Sequence, residues 1–320
     1  MAEKILIMGE SGTGKSTSIR NCDPSITAIV NPVGKPLPFR GSKNFKTLNG
    51  VTDSDEICKF MRKAAQDGAK IIIIDDFQYI LAIPFMNRIK ETGWDKYNDF
   101  GANYFNIIDI CKELPNDVCV YYLTHCETLE SGLTTVKLIG KLLREKITIE
   151  GLFTIVLRTC VSEGKYYFFT QNSGKDTVKS PMGMFDAFSI DNDLAYVDAK
   201  IRNYYELDGA KSDAEMTKLD AEKAGDVEKP EPRRRRGAST AAEEAPIEGR
   251  KRRDGKTREE VIADNEQKIA EYVQAEADAT ASVEGFEEAD EVPFEQKPTV
   301  EAPALDPVPR PRRTRKNREE

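Results

Sequence analysis

The chain has 320 residues, a formal net charge of −8 and a pI near 5.2, which excludes a globally basic nucleic-acid binder: any such contact must come from local patches. A mean hydropathy of −0.54 with 32% charged residues is too polar for one uniform globule of this length. The polar excess gathers beyond Leu207, whereas nearly all of the aromatic and β-branched residues lie up to about Tyr205 and suffice for one core there.

Taken in order, Ile5-Leu6-Ile7-Met8 reads as a short buried strand, and Gly9-Glu10-Ser11-Gly12-Thr13-Gly14-Lys15-Ser16 follows it with the pattern G-x-x-x-x-G-K-[ST]. Lys15 to Arg20 can then open a helix. Strand, loop and helix are the context in which this pattern cradles a polyphosphate. Gly9, Gly12 and Gly14 let backbone N–H groups approach phosphate oxygens where a Cβ would collide. Lys15 is placed to reach the β- and γ-phosphates, the Ser16 hydroxyl to take one position on Mg²⁺, and Thr17 to lie near the α-phosphate.

Ile26 to Val30 reads as a second strand, and the Pro- and Gly-punctuated stretch from Asn31 to Ser42 as a loop. That loop carries Lys35, Arg40 and Phe39, with Lys43 just beyond. It is either a solvated connector or a contact for nucleic acid or a neighbouring subunit. Ser54 to Asp67 has helical spacing, with Ser54 as its cap and Gly68 as its end.

The run Ile71-Ile72-Ile73-Ile74-Asp75-Asp76 is an unbroken apolar strand with two carboxylates at its C-terminal end, where ligands bind in open α/β sheets. It reads as the Walker B element. Asp75 is the candidate Mg²⁺ residue, alongside Ser16. Asp76 either polarises the attacking water or holds a supporting position, with Glu10 and Glu127 as alternative bases.

Phe77 to Lys90 and Tyr97 to Leu114 read as helices separated by Gly93-Trp94. The aromatic series Tyr97, Phe100, Tyr104 and Phe105 fits a core-facing stripe better than a base-stacking platform. Val118 to Leu123 is a further buried strand that delivers Thr124, His125 and Glu127 to the same sheet edge, where Thr124 and His125 can sense a γ-phosphate or simply cap the strand. Lys137, Lys141, Arg144 and Lys146 are candidates for a trans-acting finger in an oligomer, or a solvated basic face. Leu152 to Thr159 and Lys165 to Thr170 form a hairpin through Ser162-Glu163-Gly164, and Asp193 to Tyr205 reads as the last packed helix.

The stretch from residue 207 to 320 is poor in aromatics and rich in Glu, Ala, Pro and Arg, the composition of a largely disordered charged tail. Its basic clusters at Arg233–Arg236, Arg250–Arg253 and Arg310–Arg318 can hold phosphate backbone or serve as solubilising blocks. A transient helix fits Arg258 to Ala279, and Glu291 to Phe294 is a short acidic-apolar motif of the kind a partner groove takes. The cysteines are scattered without C-x-x-C pairs and His125 is the only histidine, so a zinc site is not expected and a reducing compartment is. With no leader and no apolar run near about 18 residues, a cytoplasmic protein without a membrane partner is expected.

Together the phosphate loop, the Ile71 to Asp76 strand and the Tyr121 to His125 strand resemble the phage-type P-loop ATPases of the RecA-like and AAA class. The hairpin region, Gly151 to Thr159, Tyr166 to Gln171 and Asp176 to Ser180, is similar to the closing part of that family, some members of which are Sak-type single-strand annealing ATPases. The resemblance spans about residues 1–206. It implies an α/β P-loop NTPase domain with a mostly parallel central sheet and helices on both faces, ahead of the 207–320 tail. It further implies ATP bound at Gly12, Gly14, Lys15, Ser16 and Thr17, Mg²⁺ at Ser16 and Asp75, and γ-phosphate sensing at Thr124 and His125. Homo-oligomers on single-stranded DNA, host-cytoplasmic, in phage recombination or replication are the implied setting. Two other functions stay open: an ATP-dependent scaffold or loader whose tail recruits replication or recombination proteins, and a nucleotide kinase, for which Arg144 is the sole lid arginine between Leu123 and Glu150. A GTPase lacks its Asn-Lys-x-Asp element here.

Overall fold

The computed structural model describes residues 1–92, 95–139, 143, 147–229 and 267. By packing, the chain divides into residues 1–235 and 236–320, and of the second unit Gln267, a helical residue, is described. The tail clusters, the Glu291 to Phe294 motif, Trp94, Lys141, Arg144 and Lys146 lie outside the described residues.

The first unit is an α/β fold around a mostly parallel sheet. Its strands are β1 (Glu3–Gly9), β2 (Thr27–Asn31), β3 (Lys46–Asn49), β4 (Ile71–Ile74), β5 (Cys119–Thr128), β6 (Thr134–Val136), β7 (Ile155–Ser162), β8 (Lys165–Phe169) and β9 (Ser189–Asp191). Their spatial order is β3-β2-β4-β5-β1-β7-β8-β9, with β6 paired to the end of β5. The strands β3, β2, β4, β5, β1 and β7 run parallel, β6 pairs antiparallel with β5, and β8 and β9 close the sheet antiparallel.

The apolar runs have their physical reason in this arrangement, because helices cover both faces of the central strands. Leu6, Met8, Ile72, Ile74, Val120 and Tyr122 meet α1 (Ser54–Gln66), α2 (Tyr79–Asn87) and α3 (Asp95–Asp109) through Ile57, Met61, Ile80, Leu81, Tyr104 and Ile107. Alternating with them, Ile5, Ile7, Ile71, Ile73, Tyr121 and Leu123 meet Ile19 and the apolar side of α4 (Leu194–Tyr204), Leu194, Val197 and Ile201. Phe100 and Tyr104 are buried, as a core-facing stripe requires, and Phe77 stacks on Tyr104 at 4.0 Å.

Several boundaries differ from the sequence reading. The cap of α1 is Asp53, whose carboxylate accepts the Glu56 N–H at 2.9 Å, and Ser54 is the first helical residue. β3 was hidden because its four residues, Lys46 to Asn49, form an edge strand whose burial is intermediate or exposed. β5 runs to Thr128 because β6 pairs with its extension, Cys126 opposite Val136, so Thr124, His125 and Glu127 lie inside the strand rather than after it.

The packed unit also continues past residue 206. α5 (Asp213–Lys223) opens with a Ser212–Glu215 capping box and packs on α4 by burying Met216. Polar ties complete the contact: Tyr196 donates its hydroxyl to Asp220 at 2.7 Å, and Lys200 pairs with the same carboxylate. With so few apolar positions, this helix has no periodic signal for composition to reveal. Among the described residues no helix is long and apolar enough to cross a membrane.

At the N-terminal edge of the sheet a buried ion pair locks α4 in place. Arg202 donates to Asp198 at 2.6 Å and to the carbonyls of Lys70, Asp117 and Asp208, while the Tyr121 hydroxyl donates to Asp198 at 2.8 Å. Arg202→Met would leave the Asp198 charge buried and the carbonyls unpaired. We expect a loss of about 3–5 kcal/mol in urea unfolding; a loss under about 1 kcal/mol would show that the pair is not a brace.

Candidate functional site

The site forms where the sheet order brings three strand ends together. β5 lies between β1 and β4, and its register sets Gly9 abreast of His125 and Ile74 abreast of Tyr122. The glycine loop after β1 and the two aspartates after β4 therefore face each other across the end of β5. A cavity of about 350 Å³ lies between them, lined by Ser11, Gly12 and Gly14 to Thr17 on one side and by Lys35, Asp76, Tyr79 and His125 on the other.

The loop depends on its glycines. Gly12 and Gly14 have φ of 79° and 95°, in the left-handed region. Gly9 needs its missing Cβ for space, since that atom would land on Thr159 Oγ1 of the neighbouring strand β7. Thr159 is itself held there by Thr13 Oγ1 at 2.6 Å. Gly9→Ala is expected to destabilise the protein by about 1–3 kcal/mol, the cost of an overpacked core site. Combining it with Thr159→Ala should recover part of that loss in a double-mutant cycle; strict additivity of the two losses would refute the clash.

The Lys15 side chain is buried in the loop it belongs to. Its ammonium donates to the carbonyls of Gly9 at 2.9 Å and Glu10 at 2.7 Å. Burial lowers its pKa, and the nearby Asp76 and Asp75 oppose that shift. Beyond Lys15 the chain makes a six-residue 3-10 helix, Ser16–Asn21, rather than an α-helix. Ser16 Oγ donates to Asp75 Oδ1 at 2.8 Å, so the hydroxyl after the lysine and the first aspartate meet directly.

The two aspartates sit in opposite environments. Asp75 is fully buried, and among the described residues its second oxygen has no hydrogen-bond partner. Burial, reinforced by the charge of Asp76, pushes its carboxyl up to about 6. Asp76 adopts a left-handed backbone with φ 61° and faces the cavity. Burial alone would raise its pKa, but His125 Nε2, 3.5 Å from Oδ1, and the Lys35 ammonium on Oδ2 outweigh it and bring the carboxyl down to about 2. A carboxylate so stabilised stays ionised and is a weak proton acceptor.

A magnesium ion with a nucleotide takes one or two protein oxygens, phosphate oxygens and water. The Ser16 hydroxyl and the partnerless buried oxygen of Asp75 fit that demand. Among the described residues no three His, Cys, Asp or Glu side chains are grouped to hold a metal unaided.

Of the residues singled out from sequence, Ser11, Gly12, Gly14, Lys15, Ser16, Thr17, Asp76 and His125 line the cavity, and Asp75 closes it through Ser16. Gly9 and Thr13 shape the loop against Thr159, whereas Glu10 is exposed outside the cavity. Thr124 is not brought to the cavity. β-strand alternation turns it to the opposite face of β5 from Leu123, fully buried with its hydroxyl facing that of Tyr104. Glu127 and Lys137 do not line the cavity either.

Sequence reading missed Lys35, Tyr79 and Tyr166 as lining residues. Lys35 arrives on the proline-stiffened loop after β2, anchored by Asn31, which donates to the Lys35 carbonyl at 2.7 Å and accepts from Gly34 N–H at 3.0 Å. Phe39 of that loop packs edge-on against Phe45 at 5.8 Å. Beyond the loop a second cavity of about 510 Å³, lined by Asn31, Lys35, Ser42, Lys43, Thr47 and Asn49 among others, shares Lys35 and Pro36 with the first.

No protein-family model matches the chain, and no curated protein is significantly similar to it.

Proposed function

We propose that the chain is a P-loop nucleoside triphosphatase that binds ATP with Mg²⁺ at residues 9–17 and transfers the γ-phosphoryl group to water. The observation that carries this reading is the Ser16–Asp75 hydrogen bond at the mouth of a left-handed glycine loop, which joins the two halves of a nucleotide site across 59 residues of sequence. Mg²⁺, which Ser16 and Asp75 would hold, would supply neutralisation of phosphate charge. The residues of the chain do the rest. Lys15 exchanges two loop carbonyls for phosphate oxygens, and the loop N–H groups hold the chain of phosphates. Lys35 offers a second cation at the γ end, where it can leave Asp76 for the phosphate. Asp76 and His125 are placed to orient the attacking water.

The partner in this reading is single-stranded DNA, with the protein acting as a homo-oligomer in phage recombination or replication. Its support is the resemblance of the Walker elements and closing hairpin, together with the Arg-rich clusters of the 207–320 tail. The test is phosphate release by the full chain with and without single-stranded DNA at two salt concentrations, with Lys15→Ala as control. Stimulation that weakens with salt supports the DNA partner. Hydrolysis that Lys15 controls but DNA leaves unchanged would retain the ATPase and remove DNA, shifting the reading to a scaffold or loader.

One observation favours a second reading, phosphoryl transfer to a small acceptor. The cavity across the Lys35–Pro36 bridge has room for one and presents amide, hydroxyl and lysine groups. Release of free phosphate at full rate without any acceptor would exclude it.

A further inference from the structure

The nucleotide reading, on which this inference rests, assigns the phosphate end of the ligand and leaves its base unassigned. Ser16, Asp75, Asp76, His125 and Lys35 mark where the terminal phosphate and metal belong, on the β5 and β4 flank of β1. Phosphates laid along the loop run from that end toward Thr17, so the ribose and base leave on the opposite flank. Two strands over on that flank lies β8, and its residue Tyr166 lines the cavity.

We propose that Tyr166 is the nucleobase platform, its phenol ring stacking on the base of the bound nucleoside triphosphate. Tyr166 is 47% exposed, so its ring has an accessible face. It sits against the loop backbone: a Cβ on Gly14 would be 2.9 Å from Tyr166 Cδ1.

Its position is braced to the α-phosphate end of the loop. The Asn192 N–H donates to the Tyr166 carbonyl at 3.2 Å, and the Arg20 guanidinium donates to the carbonyls of Asn192 at 2.7 Å and Thr17 at 3.1 Å. Asn21 Nδ2 donates to Asp193 Oδ2 at 3.0 Å, tying the same 3-10 helix to the start of α4. The ring and Thr17 are thereby parts of one supported unit, and a platform held in place before the ligand arrives loses little entropy on binding. Stacking is tolerant of base identity, since every base offers a π-face.

A wall that merely supports Gly14 would look similar, so the test separates the two roles by removing the base from the ligand. Titration calorimetry of the full chain with Mg·ATP and with Mg·tripolyphosphate would compare wild type, Tyr166→Ala, Tyr166→Leu and Tyr166→Phe. Leu keeps bulk over Gly14 without an aromatic face. We expect Ala and Leu to weaken ATP roughly tenfold or more, the size of a lost base stack, with tripolyphosphate affinity unchanged and Phe close to wild type for both. Equal weakening of ATP and tripolyphosphate would overturn the platform in favour of a wall, as would no effect on either. If tripolyphosphate and ATP both fail to bind wild type, the phosphate-loop reading falls and this one with it.

Discussion

Lys15→Ala is expected to reduce phosphate release at least about 100-fold while leaving the α/β fold intact. The magnitude follows from a preorganised, charge-assisted donor aimed at the transferred phosphate, the loss of which costs about 3–4 kcal/mol in the transition state. The ammonium is buried, it contacts no carboxylate among the described residues, and its ligands there are carbonyls of its own loop. Those carbonyls can turn to water once the side chain is gone, because Glu10 is exposed and the cavity lies beside them. Burial has already lowered the Lys15 pKa, so deleting the amine also removes an unfavourable desolvation that offsets the lost hydrogen bonds. Circular dichroism should match wild type and the thermal midpoint should move by only a few degrees. Hydrolysis within threefold of wild type would place the nucleotide elsewhere.

The parts of this site that were legible in the sequence are those where one residue type has one physical use. The glycine loop and the apolar run ending in Asp75 announce themselves because glycine is the default residue for φ of 79° and 95°, and a strand covered on both faces reads as apolar throughout. The residues that were illegible reach the site through tertiary placement. Lys35 reads as one of several loop cations until the loop folds back over Asp76, and Tyr166 reads as a hairpin aromatic until the order β1-β7-β8 sets it beside Gly14. Thr124 fails for the opposite reason. Its sequence position beside His125 suggested a shared task, but pleating sends adjacent residues to opposite faces, so only His125 reaches the cavity. α5 shows the same limit in the fold: an amphipathic pattern is the usual sign of a packed helix, and a helix attached by Met216 and polar ties does not display one.

Asp75→Asn should separate stability from activity in opposite directions. The Asp75 carboxyl, raised from its ordinary value of 3.8 to about 6 by burial and by the neighbouring charge of Asp76, binds a proton more tightly in the folded than in the unfolded chain. Its stabilising contribution is therefore fully present below the unfolded value and is lost as pH rises through about 6. At pH 8 the folded protein holds an ionised, buried carboxylate with one oxygen unpartnered among the described residues, a penalty of about 3 kcal/mol at 1.36 kcal/mol per unit. Asp76 acts in the opposite sense but in a different window: its carboxyl lies at about 2, so its contribution is complete above its unfolded value and falls away only as pH drops toward 2. Urea unfolding in EDTA should thus show wild type losing stability between pH 4 and pH 7, and Asp75→Asn, which keeps the acceptor for Ser16, losing much less. The variant should be the more stable protein at pH 8 by up to about 3 kcal/mol. Its phosphate release should nevertheless fall at least about 100-fold, because the charge that burdens the metal-free fold is the one the proposed Mg²⁺ would take as a ligand. Equal stability of the two proteins at pH 8 would mean that Asp75 is solvated or paired in the folded chain, and would remove it as the strained residue that a metal relieves.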